Sequence, residues 1–438
     1  MLKTLQNAFK VKDVRHRIFY VLMMLVVIRI GSQLPVPGVD GSYFKTWFES
    51  QTGDAFNFLD AFTGGSFSQM SIFALSITPY ITSSIIIQLL TIAIPKLEEM
   101  QRDGEDGRKK LGAITRYVTI GLSLFESIAM AIGFGNRGLI PDNNFVKIIV
   151  VVVALTAGSA FLMWVGEQIN EKGVGNGISI VLLINIVSRI PSDMTTLYES
   201  FMKGKIIAKA LLSGVIIAAI IIGVVILVII LNGAERRIPV QYSKKMQGRK
   251  MMGGQSSHIP LKVNTAGVIP VIFASSIMSF PSVIASFLGK TGGTGIGGKI
   301  LAGMNSNNWF DLDHPWYSIG LVAYIIMVIF FAYFYTSITF NPIEVADNMK
   351  KQGGFIPGIR PGKPTTDYLT KILNSIIFIG AVGLSFVAIV PIFFSGAFGA
   401  NVSFGGTSLI IIVGVVLETL KQVESQMLVR HYRGFINE

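Results

Sequence analysis

Ten stretches of this sequence run with almost no charge, and they constrain the fold more than any motif does. They cover 18–34, 72–94, 112–134, 145–165, 177–190, 206–231, 265–288, 317–340, 372–394 and 407–420 of the 438 residues. A helix crossing a hydrocarbon core of roughly 30 Å needs about 20 predominantly apolar residues. In lipid only a helix pairs all its backbone polar groups within one such segment, so the expected fold is an all-α polytopic membrane protein. Charged residues make up 14% of the chain, against about 25% in soluble domains, too few to coat cytosolic domains of this length.

Composition also removes several kinds of chemistry. The chain has no cysteine, which excludes disulfides, thiolate nucleophiles, zinc–thiolate sites and iron–sulfur clusters. His16, His258, His314 and His431 are far apart in sequence, form no metal-ligand spacing and lie outside the spans. No cofactor is expected. Gly293, Gly295 and Gly298 match G-x-G-x-x-G, but in an interhelical loop rather than between a strand and a helix. Gly289-Lys290-Thr291 has Ile284 where a phosphate-binding loop requires its first glycine. The chain thus carries no recognisable nucleotide site.

The basic residues set the orientation. Counting each span's outermost residues with the adjoining loop, 26 Lys and Arg fall on the side holding both termini and 9 on the other. The positive-inside rule then makes both termini cytoplasmic, with the plasma membrane as the expected location. The amino-terminal segment does not read as a cleaved signal peptide: its basic region is long, and no small-x-small site follows Ile30 before Pro35 and Pro37.

Two spans are unusual. The fifth is about 14 residues long, has Gly173, Gly175 and Gly177 before it, and is expected to stop at Pro191. The second carries Ser76, Thr78, Thr82, Ser83, Ser84, Gln88 and Thr91, a stripe that suits contact with other helices or with water rather than lipid. Before it, 55–68 is apolar but too short to span, and admits both a surface loop and a re-entrant segment. Ten spans divide as five and five, which inverts the second half relative to the first. Pro79-Tyr80-Ile81-Thr82-Ser83-Ser84-Ile85 in span two has a faint echo in Pro270 to Ile277 of span seven. The expected division is 1–190, an outer connection at 191–205, and 206–438.

Seven charges lie inside the spans. Lys147, Arg189, Lys209 and Glu418 are near the ends and can snorkel, and Arg116 is one turn in. Arg29 and Glu126 are deep, and are expected to form a structural charge pair between spans one and three. Two loops on the cytoplasmic side, 233–264 and 341–371, stand apart. The first sets Arg236, Arg237, Lys244, Lys245, Arg249, Lys250 and Lys262 against the single acid Glu235, a cluster suited to phosphate or an acidic partner. The second holds Arg360 at the apex of Pro357-Gly358-Ile359-Arg360-Pro361-Gly362-Lys363-Pro364, which proline stiffens.

TPYITSSIIIQLL (78–90), GVGNGISI (173–180), NTAGVIPVIFASSI (264–277), FIPGIRPG (355–362) and GGTSLIIIV (405–413) together resemble the SecY family, central subunits of the bacterial protein-translocation channel, over essentially the whole chain. The resemblance implies two inverted five-helix halves around an hourglass pore, constricted at Ile77, Ile81, Ile178, Leu182, Ile272 and Ile411. Local chemistry agrees for two pairs: Ile77/Ile81 and Ile178/Leu182 are each four residues apart and share a helix face. Apolar side chains gate by dewetting and grip no particular sequence.

By the same resemblance, 57–69 is a plug that closes the resting pore, with Asn57, Phe58, Leu59, Phe62 and Phe67 as contacts and Gly64 and Gly65 permitting it to turn. Thr82, Gln88 and Phe280 line a lateral gate through which signal sequences and membrane helices reach the lipid bilayer. Family members dock the SecA motor or a ribosome on the two cytoplasmic loops, associate with SecE and SecG, and pass secretory polypeptides. The competing class, an ion-coupled small-molecule secondary transporter, calls for polar side chains and a paired acid at midplane. An intramembrane enzyme needs a nucleophile–base pair or metal ligands. The chain is therefore expected not to be an enzyme.

Overall fold

The computed structural model describes residues 9–50, 60, 63–135, 144–203, 207–242, 245–247, 250–252, 256–287, 296–305, 308–310, 315–398 and 406–434. Its helices in the first half are α1 (Lys12–Gly31), α2 (Gly41–Ser50), α3 (Thr78–Ala93), α4 (Pro95–Arg102), α5 (Gly104–Gly135), α6 (Phe145–Lys172) and α7 (Gly177–Phe201). The second half continues with α8 (Ile207–Gly233), strands β1 (Glu235–Tyr242), β2 (Lys245–Gln247), β3 (Lys250–Met252) and β4 (Ser256–Lys262), then α9 (Ile269–Phe287) and α10 (Ile296–Met304). It ends with α11 (Ser318–Thr339), α12 (Pro342–Lys351), β5 (Gly354–Phe355), α13 (Lys363–Phe398) and α14 (Gly406–Gly434).

Each of the ten apolar stretches falls in a helix: α1, α3, α5 to α9, α11, α13 and α14. Six spans among the described residues are individually long and apolar enough to cross a membrane. A seventh arises if α3 and α4, bent by 107° at their junction, count together. The chain is a polytopic helical membrane protein.

Three boundaries differ from the sequence reading. Span five does not stop at Pro191: α7 runs through it to Phe201, so helix occupies most of the expected 191–205 connection. Proline removes one N–H from the ladder, a loss that membrane helices tolerate where neighbouring groups satisfy the freed carbonyl. Span two starts six residues late. Here 72–77 forms turns, and Thr78–Pro79 opens α3 with proline in the first turn, where its missing N–H costs nothing. The loop 233–264, expected from sequence only as a basic docking loop, contains strands. Its β1 and β4 pair antiparallel from Glu235↔Lys262 to Gln241↔Ser256. Through Gln241↔Phe355 and Tyr242↔Gly354, β1 also takes β5 from the other loop as its second neighbour.

The two loops thereby form one three-stranded sheet, in the order β4-β1-β5. Alternation along β1 turns Ile238 and Val240 inward onto Leu261, Ala346, Met349, Ile356, Leu369 and Ile376, a small core of its own. At the sheet's root, Asn264 Nδ2 donates to Asn232 Oδ1 at 2.7 Å, tying the end of α8 to the chain entering α9.

Lipid is as apolar as leucine, so the membrane helices associate by close packing and polar contacts rather than by hydrophobic burial. A Cβ on Gly158 of α6 would lie 2.0 Å from Ile72 O, and one on Gly177 of α7 1.9 Å from Gly166 O. The stripe on span two acts in the same way: Ser83 Oγ lies 2.5 Å from Thr119 Oγ1 of α5 and donates to Thr115 O. Gly158→Ala should therefore destabilise the fold by about 1–3 kcal/mol through overpacking. Gly121→Ala on α5, which meets nothing within 4 Å, should be neutral or gain up to about 1 kcal/mol. Melting of both variants in detergent checks the contrast.

Candidate functional site: an apolar cluster and the segment beside it

Short, well-placed elements bring the constriction candidates together. Ile81 N donates to Ile77 O at 3.1 Å, so these two side chains stack one turn apart at the start of α3. At the start of α7 Asn176 Oδ1 accepts from Ile178 and Ser179 N–H, and Asn170 Oδ1 accepts from Gly177 N–H at 2.7 Å. These caps fix the first turn against α6, which GVGNG allows because only glycine fits at 177. Ile178 and Leu182 then project from that turn and the next.

Ile77, Leu182, Ile272 and Ile411 are buried, Ile81 and Ile178 are half-buried, and all six belong to one continuous apolar cluster fed by α3, α7, α9 and α14. The cluster also takes in Met24, Ile28, Phe73, Ile186 and Val415, which sequence reasoning did not single out.

Beside this cluster lies the part of 57–69 that the structure describes. Asn57, Phe58, Leu59 and Phe62 fall outside the described residues. Asp60 is buried, and its Oδ1 accepts from Ser68 N–H at 2.8 Å. Gly64 and Gly65 have φ of +68° and +84°, a left-handed turn that side chains resist. Gly64 rests directly on α7, where a Cβ would come within 2.7 Å of Asn185 O. Phe67 packs with Phe44 and Phe134.

The charges are arranged differently from the sequence expectation. Arg29 does not pair with Glu126. Its Nη1 donates to Ser188 Oγ at 3.0 Å and to Gly64 O at 3.4 Å. Glu126 makes no ion pair or hydrogen bond among the described residues. Arg189, expected to snorkel, instead forms an ion pair with Asp60 and also feels the charge of the buried Asp193. The physical reason is reach: these arginines of α1 and α7 find the Gly64 carbonyl and Asp60 carboxylate beside them, and Arg29 also finds the Ser188 hydroxyl on α7. Neither Asp60 nor Asp193 was singled out in the sequence, because a lone acid outside a span resembles any other loop acid.

Among the gate candidates, Thr82 and Gln88 are half-buried on α3, and Phe280 on α9 is exposed. Gln88 Nε2 donates to Ser84 Oγ at 3.4 Å within its own helix, while its buried Oε1 has no partner among the described residues. On the three-stranded sheet Arg236 and Arg237 are exposed, and Arg360 is exposed in the turn before α13. That turn is pinned by Thr365 Oγ1 donating to Arg360 O at 2.8 Å. Lys245 and Lys250 sit in the hairpin β2–β3, whereas Lys244 and Arg249 lie outside the described residues. A hydrogen bond from Arg237 Nε holds the Glu235 carboxyl below its ordinary pKa, so the loop's single acid stays ionised. No three His, Asp or Glu side chains converge as metal ligands among the described residues.

An apolar cluster to which six membrane helices contribute, with irregular backbone beside it, belongs to a polytopic helical protein whose fold is that of solved protein-conducting channels. A solved structure described as that of a protein conducting channel matches with a TM-score of 0.64 at 19% identity, covering 94% of this chain and 92% of that one. Sec61 in the canine ribosome–channel complex of the endoplasmic reticulum matches with a TM-score of 0.61 at 18% identity, covering 94% and 92%. The family model for SecY matches residues 71–420. The protein translocase subunits SecY of Halalkalibacterium halodurans and Bacillus subtilis are 44% and 45% identical to the chain, each over 100% of both sequences. The chain belongs to the SecY family.

The revised charge arrangement has a direct test. Glu126→Arg should not restore accumulation lost in Arg29→Glu, as judged by steady-state protein level in membranes. Restoration would reinstate the pair between spans one and three.

Proposed function

We propose that the chain is the central subunit of a protein-conducting channel in the plasma membrane. It passes unfolded secretory polypeptides across the bilayer and releases membrane helices sideways into it. The observation that carries this reading is the convergence of six aliphatic side chains, from four helices, in one apolar cluster. A small-molecule transporter needs polar groups at that depth. The family membership supports the reading independently, since the relatives are translocase subunits. As a channel-forming subunit the chain is not itself an enzyme, and a partner must supply the driving energy.

In this reading Ile77, Ile81, Ile178, Leu182, Ile272 and Ile411 form the seal, and 57–69 is the plug beside it. Thr82, Gln88 and Phe280 belong to the seam that opens toward lipid. The halves 1–190 and 206–438 part there, about the connection between α7 and α8. Both termini are cytoplasmic, as the distribution of Lys and Arg requires. The β4-β1-β5 sheet and the Arg360 turn then lie on the cytoplasmic face as one docking platform for SecA or a ribosome. The likeness to channel structures solved with ribosomes supports the second partner. SecE and SecG are the expected small subunits. Docking and a signal helix together shift a population from sealed to open.

Ile81→Ser combined with Ile272→Ser should raise resting ion conductance of reconstituted channels, because hydroxyls remove the dewetted barrier. Unchanged conductance would refute the seal. Arg360→Glu should impair motor-driven export with membrane accumulation unchanged, and normal export would take Arg360 out of the docking site.

A further inference from the structure

The segment 60–68 is held in an unusual manner for something buried at membrane depth. Among its described residues, 60 and 63–68, three of the four buried side chains are polar: Asp60, Thr63 and Ser66, with Phe67 the exception. It is knotted on itself around Asp60. Asp60 O accepts from Gly65 N–H at 3.1 Å and from Thr63 Oγ1 at 3.2 Å, while Asp60 Oδ1 accepts from Ser68 N–H at 2.8 Å. Thr63 Oγ1 in turn accepts from Phe67 N–H at 3.1 Å. These internal bonds make the turn a unit that can move whole.

Among the described residues its polar attachments to the helices are one hydroxyl, Ser188 Oγ of α7 donating to Gly64 O at 3.3 Å, and two arginines. Arg189 of α7 pairs with Asp60, and Arg29 of α1 reaches Gly64 O and Ser188 Oγ. A charge pair has a property that apolar packing lacks. Shielded from water it is strong, yet both partners are well solvated once water enters, so the released state is not penalised as an exposed apolar face would be.

We propose that Arg189 and Arg29 form an electrostatic latch that fastens the self-knotted segment 60–68 to α7 and α1 in the resting protein and lets it leave intact. Asp60 has two roles in this device. Its backbone and Oδ1 hold the turn together, and its charge fastens the turn to Arg189. The inference rests on the reading of 57–69 as the resting closure, but it concerns what fastens the segment rather than what the segment blocks.

The absence of cysteine from the sequence makes a clean reporter available. Ser66→Cys places a thiol at a buried position of the segment, and Ser385→Cys places a control thiol at a buried position of α13. In membrane vesicles, a water-soluble maleimide should label position 66 slowly. Asp60→Asn keeps the acceptor for Ser68 N–H and removes the charge; Arg189→Gln removes the other partner. Each should speed labelling at 66 by roughly tenfold or more, a modest share of what loss of a buried pair implies. Labelling at 385 should not change. The two substitutions together should do no more than either alone, because they break one contact. Arg29→Gln should give a smaller rise.

Unchanged labelling at 66 in both single variants would overturn the latch. So would an equal rise at 385, which would mean general loosening. Conductance measured on the same vesicles separates the two readings. Faster labelling with unchanged conductance upholds the latch and removes the segment from the closure; slow labelling refutes the latch whatever the conductance.

Discussion

A peptide group left unpaired in hydrocarbon costs several kcal/mol, and the irregular backbone before α3 answers to that constraint. Where the chain runs without helix between 64 and 77, other protein groups supply partners. Val36 N–H donates to Met70 O and Ile72 N–H to Leu34 O, so the stretch that follows α1 and the stretch that precedes α3 lie side by side. Positive φ at Met70 and Ser76 marks where this irregular backbone turns. Asn185 Nδ2 donates to Ser76 Oγ at 3.0 Å and brings α7 into the same arrangement. Irregular backbone at membrane depth thus exists only where protein covers it. Here the covering elements also build the apolar cluster.

Periodicity made much of this legible. Ten apolar stretches gave ten helices because a membrane helix needs nothing except length and apolarity. Ile77/Ile81 and Ile178/Leu182 were readable as faces because residues four apart always share one. Arg29 was harder: depth in a span marks a charge as important, but sequence does not say which oxygen it meets. Its partners are a backbone carbonyl and a serine hydroxyl, which no charge count reveals. Pro191 misled for a related reason, since a helix with covered neighbours can carry a proline that an isolated helix would not. The sheet was within reach. Arg237-Ile238-Pro239-Val240-Gln241 alternates with period two, and His258-Ile259-Pro260-Leu261-Lys262 does so again. Seven basic residues in that loop drew attention to charge and away from the alternation beneath it.

The sheet also changes how the two loops are understood. Two basic loops read separately would be two tethers. Paired through β1 and β5, they make one body with its own core, continuous with α8 through Ala234, with α9 through Asn264 and with α13 through the Arg360 turn. Under the proposed function, force applied to this body by a docked motor or ribosome reaches three membrane helices at once. Of these, α9 carries Ile272 of the apolar cluster and Phe280 of the seam. The mechanical path from docking face to seal is accordingly short.

The proposed function turns on that seal: in it, polypeptide passes between aliphatic side chains that otherwise exclude water and ions. A photo-reactive amino acid placed at Ile81, in channels engaged with a stalled secretory chain, tests this most directly. The account predicts an adduct to the stalled chain, with a second at Ile272 on the opposing helix. A chain that is demonstrably engaged yet gives no adduct at either position would contradict it.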